Sequence, residues 1–298
     1  MREAFAQNFA ESDEIGAGFA LVIDGETKVE LWGGFADRAQ TKPWAQDTLV
    51  PIYSTTKPIA ALVMGLLHER GALDLEAPIE TVWPEFAAHG KGAISIAQAM
   101  AHQAGVPGFL DPIDPELWFD RPGIEAALAA LAPLWPPGTA HGYHPITYGV
   151  IVGALAQRAA GRSLGTILRE DICEPAGIEF YVGTPARVHA RCAEIARPKS
   201  APNFAARSDA VKAAFGTPWA APARGGAIWR EAELPGVNGH GTALSTAQLY
   251  QAYACGGSLL GHRLFGEDTF RALTSVRGDG PDLVLPFAIN LCAGIMQN

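Results

Sequence analysis

The chain has 298 residues, of which 48% are hydrophobic, enough to bury a large core in one domain or in two lobes. Its net charge of −9 and its pI near 5.4 argue against a basic surface for phosphates, so no nucleic-acid partner is expected. No apolar stretch is long enough to span a bilayer, and the first residues lack the apolar core of a secretory signal. We therefore expect a cytoplasmic protein without a membrane partner.

The first part of the chain predicts a helix, a hairpin and a second, buried helix. Residues 5–12 have the spacing of an amphipathic helix. Residues 17–36 contain two strands around Asp24-Gly25, a dipeptide typical of hairpin turns. Residues 58–67 are apolar nearly all round, which indicates a buried helix that starts near Pro58.

The rest of the chain is mainly helical before strands begin again. Helices are predicted over 94–103, 123–133, 146–160, 163–173 and 244–254, a long irregular excursion over 195–235, and returning strands over 283–296. This order predicts an α+β fold with an antiparallel sheet flanked by helices. Residues 1–75 and 236–298 would form the sheet lobe, and residues 76–235 a mainly helical lobe.

The four cysteines are scattered, and none forms a Cys-x-x-Cys pair; they are Cys173, Cys192, Cys255 and Cys292. None of the eight histidines lies in an H-E-x-x-H motif. We therefore expect free thiols, no disulfide framework, no metal and no other cofactor.

One motif carries chemistry: Ser54 and Lys57 are three residues apart where the buried helix begins. Residues at i and i+3 share one face of a helix, so the lysine amine can reach the serine hydroxyl. Serine needs a base to take its proton, and both burial and the positive end of a helix lower a lysine pKa. The pair is a candidate for acyl transfer through a covalent intermediate. The alternative without a function is a helix cap followed by a solvated lysine.

A second serine, Ser163, lies in a stretch that matches the G-x-S-x-G nucleophile elbow, residues 161–165. That elbow requires a strand before the serine, but residues 150–160 are rich in alanine and predict a helix. We therefore interpret Ser163 as the N-cap of the following helix and not as a nucleophile.

Tyr143 is the candidate partner of Ser54 and Lys57. It lies in a His-Gly-Tyr-His sequence between a Pro-Pro-Gly loop and a predicted helix, a kind of position where functional residues are common. A phenol near a lysine ammonium has a lowered pKa and can transfer protons. The alternative is a buried tyrosine whose hydroxyl only satisfies a structural hydrogen bond.

Several pieces of the sequence resemble the serine β-lactamase/penicillin-binding-protein superfamily, most closely its family VIII carboxylesterases; they are Ser54-Thr55-Thr56-Lys57, His-Gly-Tyr143-His, Asp47-Thr48-Leu49 and Pro84-Glu85-Phe86. The resemblance implies a β-lactamase-like fold with Ser54 as the acylated nucleophile and Lys57 as its base. It implies that Tyr143 protonates the leaving group and activates the deacylating water. Family members carry Tyr-x-Asn, whereas this chain has Pro145 at the third position. The amide that would hold a β-lactam or peptide carbonyl is missing, which favours esters.

A third motif of that family, Lys-Thr-Gly or a variant, is not found. The resemblance implies that its strand completes an oxyanion hole with the Ser54 N–H, and loss of one such donor typically costs about 2.7–4 kcal/mol. Residues 240–242, His-Gly-Thr, have the wrong order and precede a predicted helix, so we interpret them as a turn. Because the resemblance continues to Asn298, we expect a truncated chain whose last strands are missing; completion by a second chain, or a differently built oxyanion hole, are the alternatives. An uncovered sheet edge would favour self-association into a homo-oligomer.

These residues predict a serine hydrolase that cleaves short-chain carboxylic esters, as small-molecule substrates, through a Ser54 acyl-enzyme. Two alternatives stay open: a β-lactamase or D,D-peptidase-like enzyme, and a catalytically inactive relative that binds ligands, because the third motif is absent. The sequence also leaves open which of Lys57 and Tyr143 takes the first proton.

Overall fold

The computed structural model describes residues 1–196, 208–216 and 225–297. Its helices are α1 (Arg2–Glu11), α2 (Thr56–Glu69), α3 (Ile96–Met100), α4 (Arg121–Ala130), α5 (Thr147–Ala160), α6 (Leu164–Ile167), α7 (Asp209–Phe215), α8 (Ala227–Glu231), α9 (Ala243–Ala254) and α10 (Glu267–Thr274). Its strands are β1 (Gly16–Ile23), β2 (Glu26–Gly34), β3 (Val50–Pro51), β4 (Phe180–Tyr181), β5 (His240–Gly241), β6 (Ser258–Leu259), β7 (His262–Arg263), β8 (Asn290–Leu291) and β9 (Met296–Gln297). Part of the excursion predicted over 195–235 lies outside the described residues.

The predicted N-terminal hairpin is confirmed. Strands β1 and β2 pair antiparallel, with Gly16 opposite Gly34. Asp24 and Gly25 have φ values of 51° and 84°, the left-handed backbone that a tight two-residue hairpin turn requires. A second antiparallel sheet has the order β3-β5-β4. Helices and antiparallel strands together make the α+β fold that the sequence predicts.

The interpretation of residues 240–242 as a turn was wrong for the first two. His240 and Gly241 form β5, the central strand of the second sheet, and pair with β3 on one side and β4 on the other. A Cβ on Gly241 would lie 2.5 Å from the Phe180 ring, so only glycine allows this close pairing. Thr242 then caps α9, because its side chain accepts a hydrogen bond from the Ser245 N–H.

Helix α2 is buried, as its all-round apolar sequence predicts. Its residues 59–67 are shielded from solvent and join the main hydrophobic cluster, and the helix packs against α5. Each large aliphatic side chain buried there contributes about 1.5–3 kcal/mol. This packing fixes the axis of α2, and so it fixes the position of Ser54 and Lys57 at its start.

The helix predicted over 163–173 is present as α6 and a π-helix that continues it over Leu168–Cys173. Two other predicted elements are shorter in the structure. The helix predicted over 94–103 is only α3, because His102 has a φ of 63° and cannot continue a right-handed helix. The strand region predicted over 283–296 contains only β8 and the first residue of β9. There, Pro286 has no N–H, and the N–H groups of Val284 and Leu285 donate to the Asp282 side chain instead of to a strand.

The proposed lobe boundaries at residues 75 and 236 stay a prediction. Strand β4 belongs to the segment 76–235 and pairs with β5, so the second sheet draws on both segments. Among the described residues, no helix is both long and apolar enough to cross a membrane.

Lys91 is a buried lysine that serves the fold. Its Nζ donates to the carbonyl oxygens of Ala88, Ala129 and Leu131, at 2.7, 3.0 and 2.5 Å, and so ties the C-terminal end of α4 to the preceding turn. We expect Lys91→Met to lower the free energy of unfolding by about 2–4 kcal/mol, because three carbonyls lose their donor. Chemical denaturation of this variant measures the loss. Lys28→Met is the control, since Lys28 lies at the surface and bonds to the nearby Glu26; an equal loss in both variants would contradict the prediction.

Candidate active site

Ser54 lies on a turn between β3 and α2 and is exposed to solvent. Tyr53 immediately before it has a φ of 47°, which is rare for a residue with a side chain and costs about 1–3 kcal/mol. The Tyr53 ring packs against Trp229, with the ring centroids 6.4 Å apart. The turn therefore presents the Ser54 hydroxyl on a sharp bend that tertiary contacts hold in place.

Lys57 is buried next to Ser54, with 3% of the residue exposed. Its Nζ is 3.2 Å from Ser54 Oγ and donates to the carbonyl oxygens of Pro145 at 2.8 Å and Gly236 at 2.9 Å. The rings of Tyr143 and Tyr148 cover it, with centroids 4.8 and 5.6 Å from Nζ. Lys57 is therefore shielded from bulk water.

Burial lowers the pKa of Lys57 to about 7, because a charged amine is poorly solvated in this site. A neutral amine has two N–H groups and one lone pair. The Pro145 and Gly236 carbonyls occupy the two N–H groups, and the third neighbour is Ser54 Oγ. The lone pair of neutral Lys57 is therefore directed at the serine hydroxyl.

Tyr143 completes the group, because its hydroxyl is 2.7 Å from Ser54 Oγ. Burial raises the pKa of Tyr143, the bond with Ser54 lowers it, and the Asp282 carboxylate raises it again. The expectation that a nearby lysine lowers this pKa was wrong, because desolvation of the phenolate is the larger effect. The phenol thus holds its proton at neutral pH and can donate it.

Two histidines that the sequence analysis did not assign hold the loop of Tyr143. His144 Nε2 accepts from the Val106 N–H at 3.2 Å, so its Nδ1 donates to the Gly142 carbonyl. His102 Nδ1 accepts from the His144 N–H at 3.1 Å. Burial lowers the pKa of His144 to about 3, so this ring is neutral at physiological pH. The sequence signal for His144 was its place in His-Gly-Tyr-His.

A glycine-containing loop before β5 contributes to the site through its backbone. The Gly236 carbonyl accepts from Lys57, and the Gly239 N–H donates to Thr56 Oγ1 at 3.0 Å. The Asn238 side chain donates to the Trp229 and Ala232 carbonyls and accepts from the Leu234 N–H, which fixes the shape of the loop. Sequence analysis missed these residues; the run Val-Asn-Gly-His-Gly was the available signal.

Ser163 has the structural role that the sequence predicts. Its Oγ accepts from the Thr166 N–H at the start of α6 and donates to Glu233. Its hydroxyl therefore caps a helix, and the structure does not bring it into the group formed by Ser54, Lys57 and Tyr143. Within the described ranges, no group of three His, Cys, Asp or Glu side chains is placed to hold a metal ion.

The chain combines an α+β fold of the β-lactamase-like class with a serine, a buried lysine and a tyrosine in mutual contact. The chain belongs to the beta-lactamase family, whose family model matches residues 1–298.

Named relatives agree with this assignment. The esterase/beta-lactamase LipL of Mycobacterium tuberculosis is 33% identical over 287 residues, which cover 92% of this chain and 66% of that protein. A penicillin-binding protein homologue from Caulobacter crescentus is 47% identical with a TM-score of 0.94, and a family VIII carboxylesterase is 39% identical with a TM-score of 0.90. Each structural alignment covers 100% of this chain and 80% of the other. The chain thus spans about two thirds of the length of the mycobacterial relative.

Proposed function

We propose that this protein is a serine hydrolase that cleaves short-chain carboxylic esters through an acyl-enzyme on Ser54. One observation carries the proposal: Lys57 Nζ lies 3.2 Å from Ser54 Oγ and donates to the Pro145 and Gly236 carbonyls. When the amine is neutral, these two carbonyls take its N–H groups and leave its lone pair for the serine hydroxyl. This arrangement supports Lys57 as the base that takes the first proton.

The proposed reaction has two half-reactions. As Ser54 Oγ attacks the ester carbonyl carbon, its proton moves to Lys57 Nζ, and a tetrahedral intermediate forms. The C–O bond to the alcohol then breaks, Tyr143 gives its proton to the departing oxygen, and Lys57 returns a proton to Tyr143. A water molecule next attacks the acyl carbon and loses a proton to the same pair of groups. The bond to Ser54 Oγ breaks, the serine regains its proton, and the acid leaves.

The residue at the third position of the Tyr-x-Asn motif favours esters over amides. Pro145 offers Lys57 only its backbone carbonyl and has no side-chain amide to hold a β-lactam or peptide carbonyl. Hydrolysis of β-lactams is the second candidate, because the mycobacterial relative is named an esterase/beta-lactamase.

Self-association stays a prediction that size-exclusion chromatography would test.

A substrate comparison with a covalent trap tests the proposal. We expect turnover of p-nitrophenyl butyrate, slower or no turnover of a chromogenic cephalosporin, and a butyryl group on the Ser54 peptide after rapid acid quenching. Faster turnover of the cephalosporin would favour the second candidate. Absence of turnover and of labelling by a fluorophosphonate probe would favour an inactive binding protein.

Tyr143→Phe removes the proposed acid while leaving the ring in place. We expect kcat for p-nitrophenyl butyrate to fall by about 10²–10³, because general acid catalysis is lost. Tyr181→Phe is the matched control, since the Tyr181 hydroxyl donates to Glu179 at 2.8 Å and not to Ser54. Unchanged kcat in Tyr143→Phe would exclude Tyr143 as the acid.

A further inference from the structure

We infer that Asp282 is a positioning residue, which holds the backbone of Tyr143 so that its hydroxyl reaches Ser54. This inference rests on the proposed function, because it assigns Asp282 a part in the same reaction. Nothing in the sequence pattern around Gly280-Pro281-Asp282 indicates more than a turn.

Tyr143 needs an external support because its own segment has no regular structure. Residues 141–144 belong to no helix or strand, and α5 begins only at Thr147. Its N–H has no partner in a ladder or a helix; it donates to Asp282 Oδ1 at 3.1 Å. The carboxylate is therefore the direct anchor of the catalytic tyrosine's backbone.

The same carboxylate oxygen is fixed by its own turn. Asp282 Oδ1 also accepts from the Val284 N–H at 2.8 Å and the Leu285 N–H at 2.7 Å. Three N–H donors on one oxygen leave the carboxylate little freedom to move. The turn therefore holds the Asp282 carboxylate in place independently of its hydrogen bond with Tyr143.

Two further contacts join the segments on either side of this bond. The Leu283 N–H donates to the His141 carbonyl at 3.1 Å. Val284 is buried in the same apolar cluster as Tyr143 and Trp135. The turn at 282–285 and the loop of Tyr143 therefore move together, so displacement of one would displace the Tyr143 hydroxyl from its 2.7 Å contact with Ser54.

Two substitutions at Asp282 distinguish the effect of the hydrogen-bond acceptor from the effect of the negative charge. Asp282→Asn keeps an acceptor oxygen at the position of Oδ1, whereas Asp282→Ala removes it. We expect Asp282→Ala to lower kcat for p-nitrophenyl butyrate by about 10- to 100-fold, because a small displacement of a catalytic group is costly. KM should change little, since Asp282 does not contact Ser54. Asp282→Asn should retain most of kcat, and Asp279→Ala, at an exposed position nearby, should match the wild type.

Hydrogen–deuterium exchange gives a readout that does not depend on activity. We expect the Tyr143 amide to exchange faster in Asp282→Ala and to stay protected in Asp282→Asn. Wild-type kcat or a protected Tyr143 amide in Asp282→Ala overturns the inference, as does an equal loss of kcat in Asp282→Asn. A wild-type chain without turnover above Ser54→Ala overturns the proposed function instead, and the exchange data then decide alone whether Asp282 holds the Tyr143 backbone.

Discussion

Ser54→Ala is expected to lower kcat for p-nitrophenyl butyrate by about 10⁴-fold or more, as removal of the acylated nucleophile does in serine hydrolases. The physical reason is that Lys57 and Tyr143 both contact Ser54 Oγ. Without that oxygen, they have no nucleophile to activate and no acyl group to hold. Steady-state kinetics of purified wild type and variant, in parallel, measure the effect.

Ser163→Ala is the matched control for this experiment. It removes the serine of residues 161–165, which match the G-x-S-x-G nucleophile elbow, and it deletes the cap of α6. We expect full activity and a loss of about 1 kcal/mol in the free energy of unfolding. If Ser163→Ala lost activity and Ser54→Ala kept it, the assignment of the nucleophile would be reversed.

The pH dependence of kcat/KM is expected to report Lys57. Only the neutral amine can accept the Ser54 proton, and the pKa of Lys57 is about 7. The value of kcat/KM should therefore rise with pH, about tenfold per unit below pH 7, and level off above it. Because burial raises the pKa of Tyr143, the plateau should extend beyond the ordinary range of a phenol. A profile that is flat from pH 5 to 8 would exclude Lys57 as the base.

Lys57→Met supplies the control for that profile and a second readout. The variant should lose most of kcat/KM, and its residual activity should lack the rise near pH 7.

Stability gives an independent check, because the pKa of Lys57 falls from 10.5 in the unfolded chain to about 7 in the folded one. Between these values the unfolded state binds more protons, so the wild type should gain stability as pH rises. Lys57→Met should lack this gain, which denaturation at several pH values would show.

The prediction of the site from sequence rests on local spacing. A serine and a lysine three residues apart at the start of an all-round apolar helix fix their own relative position, since the helix repeat places them on one face. The hairpin is equally local, because Asp24-Gly25 supplies the left-handed turn that joins two alternating strands. Tyr143 was a candidate only through its loop and its resemblance to a family motif.

What the sequence could not supply are contacts made by backbone atoms far along the chain. The carbonyls of Pro145 and Gly236 orient the Lys57 amine across 88 and 179 residues. Every residue has a carbonyl, so no residue type marks these two in advance. The same holds for Gly241 in β5 and for Gly239 just before it, because a Cβ on either residue would lie 2.5–2.7 Å from the Phe180 ring.

The sequence by itself therefore determined the nucleophile candidate, its lysine and the helix that carries both, since these depend on local spacing and apolar pattern. Only the tertiary structure decided the protonation states of Lys57 and Tyr143. Enclosure of Lys57 by distant carbonyls and aromatic rings lowers its pKa to about 7, and burial raises that of Tyr143. Desolvation depends on everything packed around a group, and that packing exists only once the whole chain is folded.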